Sequence, residues 1–323
     1  MTKCLIVALV LIATAPLSVA AEPYPSRPVT LVVPFAAGGP IDTVARIIAD
    51  GMRETLAQPI VIENVAGAGG AIGTARVVSA APDGYTVGIG NWGSHVATGA
   101  TQSLRFDLLG DLAPISLLPS EPLMIVARKT VPAATLKELI EWLRRNPDKA
   151  SVGTSGVGGP SHVGGLLFQR ATGTRFQLVP YRGAGPAMQD LIGGQVDMMI
   201  SGASVALPQV RTGSIKAYAI AARQRSSAAP DVPTADEAGL PEFYVSVWHG
   251  MWAPKDTPHE VIAKLNAAIR DALARPSIRN RFAELALEIP SLEQQTPEAL
   301  AAYQKAEIEK WWPIIKAADM KAK

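Results

Sequence analysis

Three stretches of this sequence share one arrangement of glycine, small and proline residues. They are Phe35-Ala36-Ala37-Gly38-Gly39-Pro40, Thr154-Ser155-Gly156-Val157-Gly158-Gly159-Pro160 and Tyr181-Arg182-Gly183-Ala184-Gly185-Pro186. Each leaves an apolar, strand-like run and enters a helix-like one, with proline at or near the first helical position. Glycine lets the backbone come close to a ligand, and at Gly38 or Gly39 any Cβ would fill that space and oppose a positive φ. The first N–H groups of a helix have no intrahelical acceptor and the helix dipole adds positive potential, so each loop can hold an anion. Without a dense cationic cluster, such loops suit one or two carboxylates better than a phosphate. The same residues also make ordinary strand-to-helix turns, and spacing alone leaves both readings open.

Other patterns carry less. Gly67-Ala68-Gly69-Gly70-Ala71-Ile72-Gly73 follows a strand-like run, but Ile72 stands where a dinucleotide loop needs its third glycine. Gly202-Ala203-Ser204-Val205-Ala206 lacks the last glycine of a hydrolase elbow. The four histidines, His95, His162, His249 and His259, include no pair at metal-ligand spacing. His95 and His162 sit beside serine in glycine-rich segments and could line a pocket; His259 reads as a surface residue at a helix start. A Ser–His catalytic pair has no positive support. The expectation is a binding protein that catalyses nothing, with no cofactor and no metal.

The loops need a scaffold. Strand-like runs at 29–33, 60–64 and 85–89 alternate with helix-like runs at 42–56 and 71–80, a rhythm that predicts a parallel sheet with helices on both faces. The rhythm restarts with strands at 123–127, 151–154, 176–180, 196–201 and 217–221 and helices at 136–145, 161–171 and 186–192. Thr135 and Glu138 make a capping box for the first of these helices. Thr257-Pro258-His259-Glu260 reads as a second cap, with Thr257 at the N-cap. A last helix opens at Thr296-Pro297-Glu298 and reaches Trp311, where Trp311 and Trp312 read as packing anchors. About 300 residues exceed one comfortable core, and crossings near Ser120 to Pro122 and Tyr244 to Trp248 divide the chain. Residues 22–121 and 247–323 form a discontinuous first lobe and 122–246 a second.

Residues 1–21 read as a cleavable secretory signal: Lys3 near the start, an apolar run from Leu5 to Ala13, and Ser18-Val19-Ala20 before the cut. That run is too short to span a bilayer. Cys4, the one cysteine, precedes it rather than following it, so no lipid anchor, disulfide or thiolate metal site is expected. A net charge of +2 with interspersed signs offers no basic stripe for nucleic acid. The expected location is the periplasm.

At the loops the sequence also resembles a known family, the Bug-type extracytoplasmic receptors of tripartite tricarboxylate transporters. The resemblance rests on Tyr24-Pro25-Ser26-Arg27-Pro28, on Pro34 to Arg46, on Ala81-Pro82-Asp83-Gly84-Tyr85-Thr86, on Pro180 to Ala187, and on Gly194-Gln195-Val196-Asp197 and Trp248-His249-Gly250. It implies an α/β fold: a two-lobe periplasmic binding protein, flytrap-like, each lobe a mostly parallel sheet flanked by helices, with two crossover strands. It implies a small organic acid as ligand, aliphatic or aromatic, and the membrane subunits of the transporter as partners of a monomeric receptor. It places one carboxylate between Phe35, Ala36, Ala37, Gly38, Gly39 and Asp42 on one side and Thr154, Ser155, Gly156, Ser161 and His162 on the other. Tyr181, Arg182, Gly183 and Asp197 would lie near the same cleft, with Trp92 and His95 at the variable end of the ligand. A receptor that feeds a membrane sensor would use the same cleft, and an exported hydrolase is the remaining rival.

Overall fold

The computed structural model describes residues 24–317, and the signal segment, with Cys4, lies outside them. The first unit is β1 (Val29–Val33), α1 (Pro40–Leu56), β2 (Ile60–Asn64), α2 (Ala71–Val78) and β3 (Thr86–Asn91). From β3 the chain turns through a π-type coil, Gly93–Ala97, into the short α3 (Thr98–Thr101). Then β4 (Leu112–Arg128) runs across into the second unit. That unit holds α4 (Leu136–Arg145), β5 (Ser151–Thr154), α5 (Pro160–Thr172), β6 (Gln177–Pro180), α6 (Ala184–Ile192), β7 (Met198–Gly202), α7 (Ala203–Arg211) and β8 (Ile215–Ile220). The return is β9 (Ser246–Pro254), followed by α8 (His259–Ala274), α9 (Pro276–Glu284) and α10 (Pro297–Ala317).

Both lobes use one strand plan. The first runs β2-β1-β3-β9-β4 and the second β6-β5-β7-β4-β8. In each, three parallel strands are followed by an antiparallel strand that has crossed from, or crosses to, the other lobe. The crossing strands β4 and β9 pair antiparallel, Glu121 opposite Val247 and Pro122 opposite Ser246. The parallel strands of both lobes therefore end at the same cleft, where open α/β sheets bind ligands.

Alternation along β4 builds the second lobe's two faces. Leu123, Ile125 and Ala127 enter a core with Leu139, Leu143 and Phe168, while Met124 and Val126 enter another with Met188, Leu191 and Leu207. In the first lobe Leu31, Ile48, Met52, Leu265 and Phe282 pack on one face, and Val32, Trp248, Trp252, Leu300 and Ile308 on the other.

Several expectations need correction. β4 is 17 residues long, where the sequence suggested a strand only from Leu123. Pro114 and Pro119 are absorbed at two register shifts, Pro114/Ser116 and Leu118/Glu121, while Pro122 stays in register opposite Ser246. Helices α7 and α9 are additions to the pattern expected from the sequence. Thr257 does not cap α8: its hydroxyl donates to the Pro254 carbonyl, and Pro258 takes the N-cap position. Thr135 does cap α4, accepting from the Glu138 N–H at 3.2 Å. Trp311 meets Trp92 edge-on and Trp312 donates to the Val96 carbonyl, so both anchor α10 to the first lobe.

Candidate functional site

All three glycine-rich loops border one cavity of about 750 Å³ between the lobes. The first loop is buckled from below. Asp42 Oδ2 accepts from the Gly38 N–H at 2.9 Å and from Arg46 Nε at 2.9 Å, while Oδ1 accepts from Asn64 Nδ2 at 2.9 Å. Burial pushes the Asp42 carboxyl up, but the hydrogen bonds from Arg46, Gly38 and Asn64 outweigh it and hold the group below its ordinary range. Gly38 has φ +78°, and a Cβ there would meet nothing within 4 Å, so its bare side faces open space. Gly39 has φ −81°, a conformation any residue adopts, so only Gly38 of that pair requires glycine for its backbone.

In the second loop Ser161 Oγ accepts from the Ser155 N–H at 2.6 Å and donates to Ser155 Oγ at 2.8 Å. That leaves the Ser155 hydroxyl proton free for a ligand. Gly156 and Gly158 take φ +123° and +73°. The loop seats against the first lobe: a Cβ on Gly158 would lie 3.0 Å from Thr101 Cγ2, and one on Gly93 3.4 Å from Pro160 Cδ. The third loop turns at Gly183, φ +130°, and its Tyr181 hydroxyl donates to Asp190 at 2.6 Å, which pushes the phenol up to about 12. Arg182 is exposed on the wall and is the one Lys or Arg among the residues lining the cavity.

The sequence profile described as "Tripartite tricarboxylate transporter family receptor" matches residues 44–320. The chain belongs to this family. The protein BugT of Bordetella pertussis is 35% identical over 327 residues, covering 100% of this chain and 99% of its own. MatC from Rhodopseudomonas palustris with bound malate is 43% identical with a TM-score of 0.84, over 90% of this chain and 100% of that one. A second R. palustris protein, with adipate, is 30% identical with a TM-score of 0.87, over 92% and 99%. The chain is thus a solute-binding receptor of the two-lobe periplasmic type, and no helix among the described residues is long and apolar enough to cross a membrane.

Of the residues singled out in the sequence, Phe35, Ala36, Ala37, Gly38, Gly39, Ser155, Gly156, Ser161, Tyr181, Arg182 and Gly183 line the receptor's cavity. Six others do not. Asp42 lies beneath its loop, both oxygens engaged. Trp92 turns away into the α10 contact. His95 is buried, stacked on Trp252 at 3.9 Å, and burial pushes its pKa down to about 3, so it is a neutral core ring. Thr154 is fully buried behind the loop, and His162 is half-buried with its pKa lowered by that burial. Asp197 is at the wrong end: it accepts from Arg128 Nη2 at 2.6 Å and from the Ser151 N–H at 2.8 Å, tying the start of β5 to β7. At about 3.3 Å per residue, β5 carries the chain roughly 10 Å from there to the cleft.

The sequence reading missed two parts of the site. The Gly67–Gly70 segment forms a further wall, with Gly67, Gly69 and Gly70 all at positive φ and Gln102 Nε2 bonded to the Ala68 carbonyl. The floor is the other part: Glu121, Ser201, Gly202 and His249. The available signals were a glutamate inside the apolar run Leu117–Val126 and a histidine between Trp248 and Gly250.

Proposed function

We propose that the receptor captures a small mono- or dicarboxylate between its lobes and delivers it, chemically unchanged, to the membrane subunits of a tripartite tricarboxylate-type transporter. The observation that carries this reading is the convergence of glycine-rich helix-start loops from both lobes on one cavity, beside Arg182. The Ser155 hydroxyl and the Gly156 and Gly183 N–H groups offer donors to the carboxylate, the bare side of Gly38 leaves room for it, and Arg182 adds charge. The malate and adipate seen in the two related structures support an organic acid as cargo. On this reading the signal segment 1–21 is removed on export and the mature chain acts as a monomer. Its lobes are 22–121 with 247–323, and 122–246. A thermal-shift screen of aliphatic mono-, di- and tricarboxylates and aromatic acids tests it. A ligand at 100 times its Kd stabilises the native state by about 2.7 kcal/mol. Stabilisation by neutral sugars, with no response to any acid, would overturn it.

A further inference from the structure

The floor of the cavity carries polar groups that the carboxylate grip does not use. β4, β7 and β9 meet there, and Glu121, Ser201 and His249 face the cavity while being 2%, 1% and 0% exposed. His249 Nδ1 lies 2.6 Å from the Pro119 carbonyl oxygen. A carbonyl only accepts, so the ring proton is on Nδ1 and Nε2 presents a bare lone pair. Nε2 has no partner among the described residues, and neither has Ser201 Oγ. Glu121 Oε2 accepts from the Ser204 N–H at 2.9 Å, where α7 begins. Gly202 makes room for this carboxyl: a Cβ there would lie 2.5 Å from Glu121 Oε1.

Buried polar groups are almost always paired in native proteins, so an unpartnered acceptor lining a ligand cavity points to a partner on the ligand. His249 Nε2 can only accept, and Glu121 is an acceptor whenever it is ionised. A second ionised carboxylate brought to this floor would set lone pairs against lone pairs. A hydroxyl or ammonium would donate to either group, and the Ser201 hydroxyl can turn to serve it. We propose that the floor is a second subsite, resting on the carboxylate reading above, which selects acids carrying a hydrogen-bond donor over acids carrying a second ionised carboxylate.

The test is calorimetric titration at pH 7.5 with straight-chain acids of three to six carbons that differ only in the terminal group: methyl, hydroxymethyl, aminomethyl or carboxylate. At the best chain length the hydroxyl or ammonium acid should bind about tenfold tighter than its methyl counterpart, the order expected of one buried hydrogen bond to a polar or charged group. It should also bind tighter than the dicarboxylate. In Glu121→Gln and His249→Phe, each checked for folding by circular dichroism, this preference should narrow to less than about threefold; either variant alone suffices. If the acids bind but the dicarboxylate is favoured, or the preference survives in the folded variants, the floor proposal fails and the carboxylate reading stands. If none of these or the screened acids binds, both fall.

Discussion

The wall and the floor of the cavity are made of different material. The wall is backbone: loops at helix starts, with glycines at positive φ and only one charged side chain, Arg182. The floor is side chain: a carboxyl, a hydroxyl and an imidazole on three strands that are otherwise apolar. A backbone anion site is paired with solvent when empty and costs the fold little. The floor groups have been taken out of water without full compensation, which is costly. Burial accordingly raises the Glu121 pKa, against the opposing Ser204 hydrogen bonds, and pushes the His249 pKa down to about 4. The wall suits what carboxylates have in common, and the floor is placed to tell them apart.

The wall can be broken most completely at Gly38. With φ +78° and open space where its Cβ would point, Gly38→Val both strains the backbone, by about 1–2 kcal/mol, and puts a branched side chain into the cavity. We expect binding to become undetectable by calorimetry, with native circular dichroism retained. Gly39→Ala is the control: at φ −81° its Cβ would meet the Ala36 oxygen at an ordinary 3.4 Å, and binding should stay within a few-fold of the parent. Normal binding by Gly38→Val would remove the first loop from the grip.

The floor should show itself in acid stability. The unfolded chain holds His249 at an ordinary histidine value near 6.5, against about 4 when folded. Between these values the unfolded state binds more protons, so the contribution is fully present above pH 6.5 and is lost as pH falls toward 4. His95, pushed down to about 3, has the same sign. Each histidine is worth on the order of 3 kcal/mol. Glu121 runs the other way: its raised pKa gives stability that is present below its unfolded value and lost as pH rises through the folded one. Thermal unfolding from pH 4 to 8 should therefore show a steep acid limb, made shallower by His249→Gln. Glu121→Gln should raise the melting temperature at pH 7.5. Arg182→Gln, on the wall, should leave the profile unchanged. An identical acid limb in parent and His249→Gln would mean that the floor does not carry this cost.

The same contrast explains what was legible in the sequence. The wall could be read because each loop is one contiguous run, glycine and proline at fixed offsets between a strand and a helix. β5 and α4 were also local, and their bounds match the expected ones. The floor could not be read, because Glu121, Ser201 and His249 meet only through the β4 pairings with β7 and β9. Trp92 and His95 misled for a related reason. The chain coils after β3, so that Asn91 and Gly93 face the cavity while Trp92 and His95 turn into the core against α10 and β9. Only the resemblance puts Asp197 near the cleft; it lies in the Gly-Gln-Val-Asp turn that starts β7, whereas the cleft is where β7 ends.

The smallest effect expected lies where wall meets wall, at Ser155 and Ser161. Their hydroxyls are bonded to each other, and Ser161 also holds the Ser155 N–H, so Ser161 positions the group that Ser155 presents. Each alanine substitution should weaken binding by about 0.5–1.5 kcal/mol, the net worth of one hydrogen bond. Because the two share a bond, the double variant should cost less than the sum of the singles, with a coupling of at least about 0.5 kcal/mol in a double-mutant cycle. Ligand can draw the lobes together only by binding the closed arrangement more tightly, through both loops at once. At a fixed, sub-saturating ligand concentration, the fall in radius of gyration seen by small-angle scattering should shrink in the order parent, single, double. Additive losses would make the serines independent contacts. An unchanged radius of gyration in the parent at saturation would mean that the second-lobe loop grips a ligand in a cleft already closed.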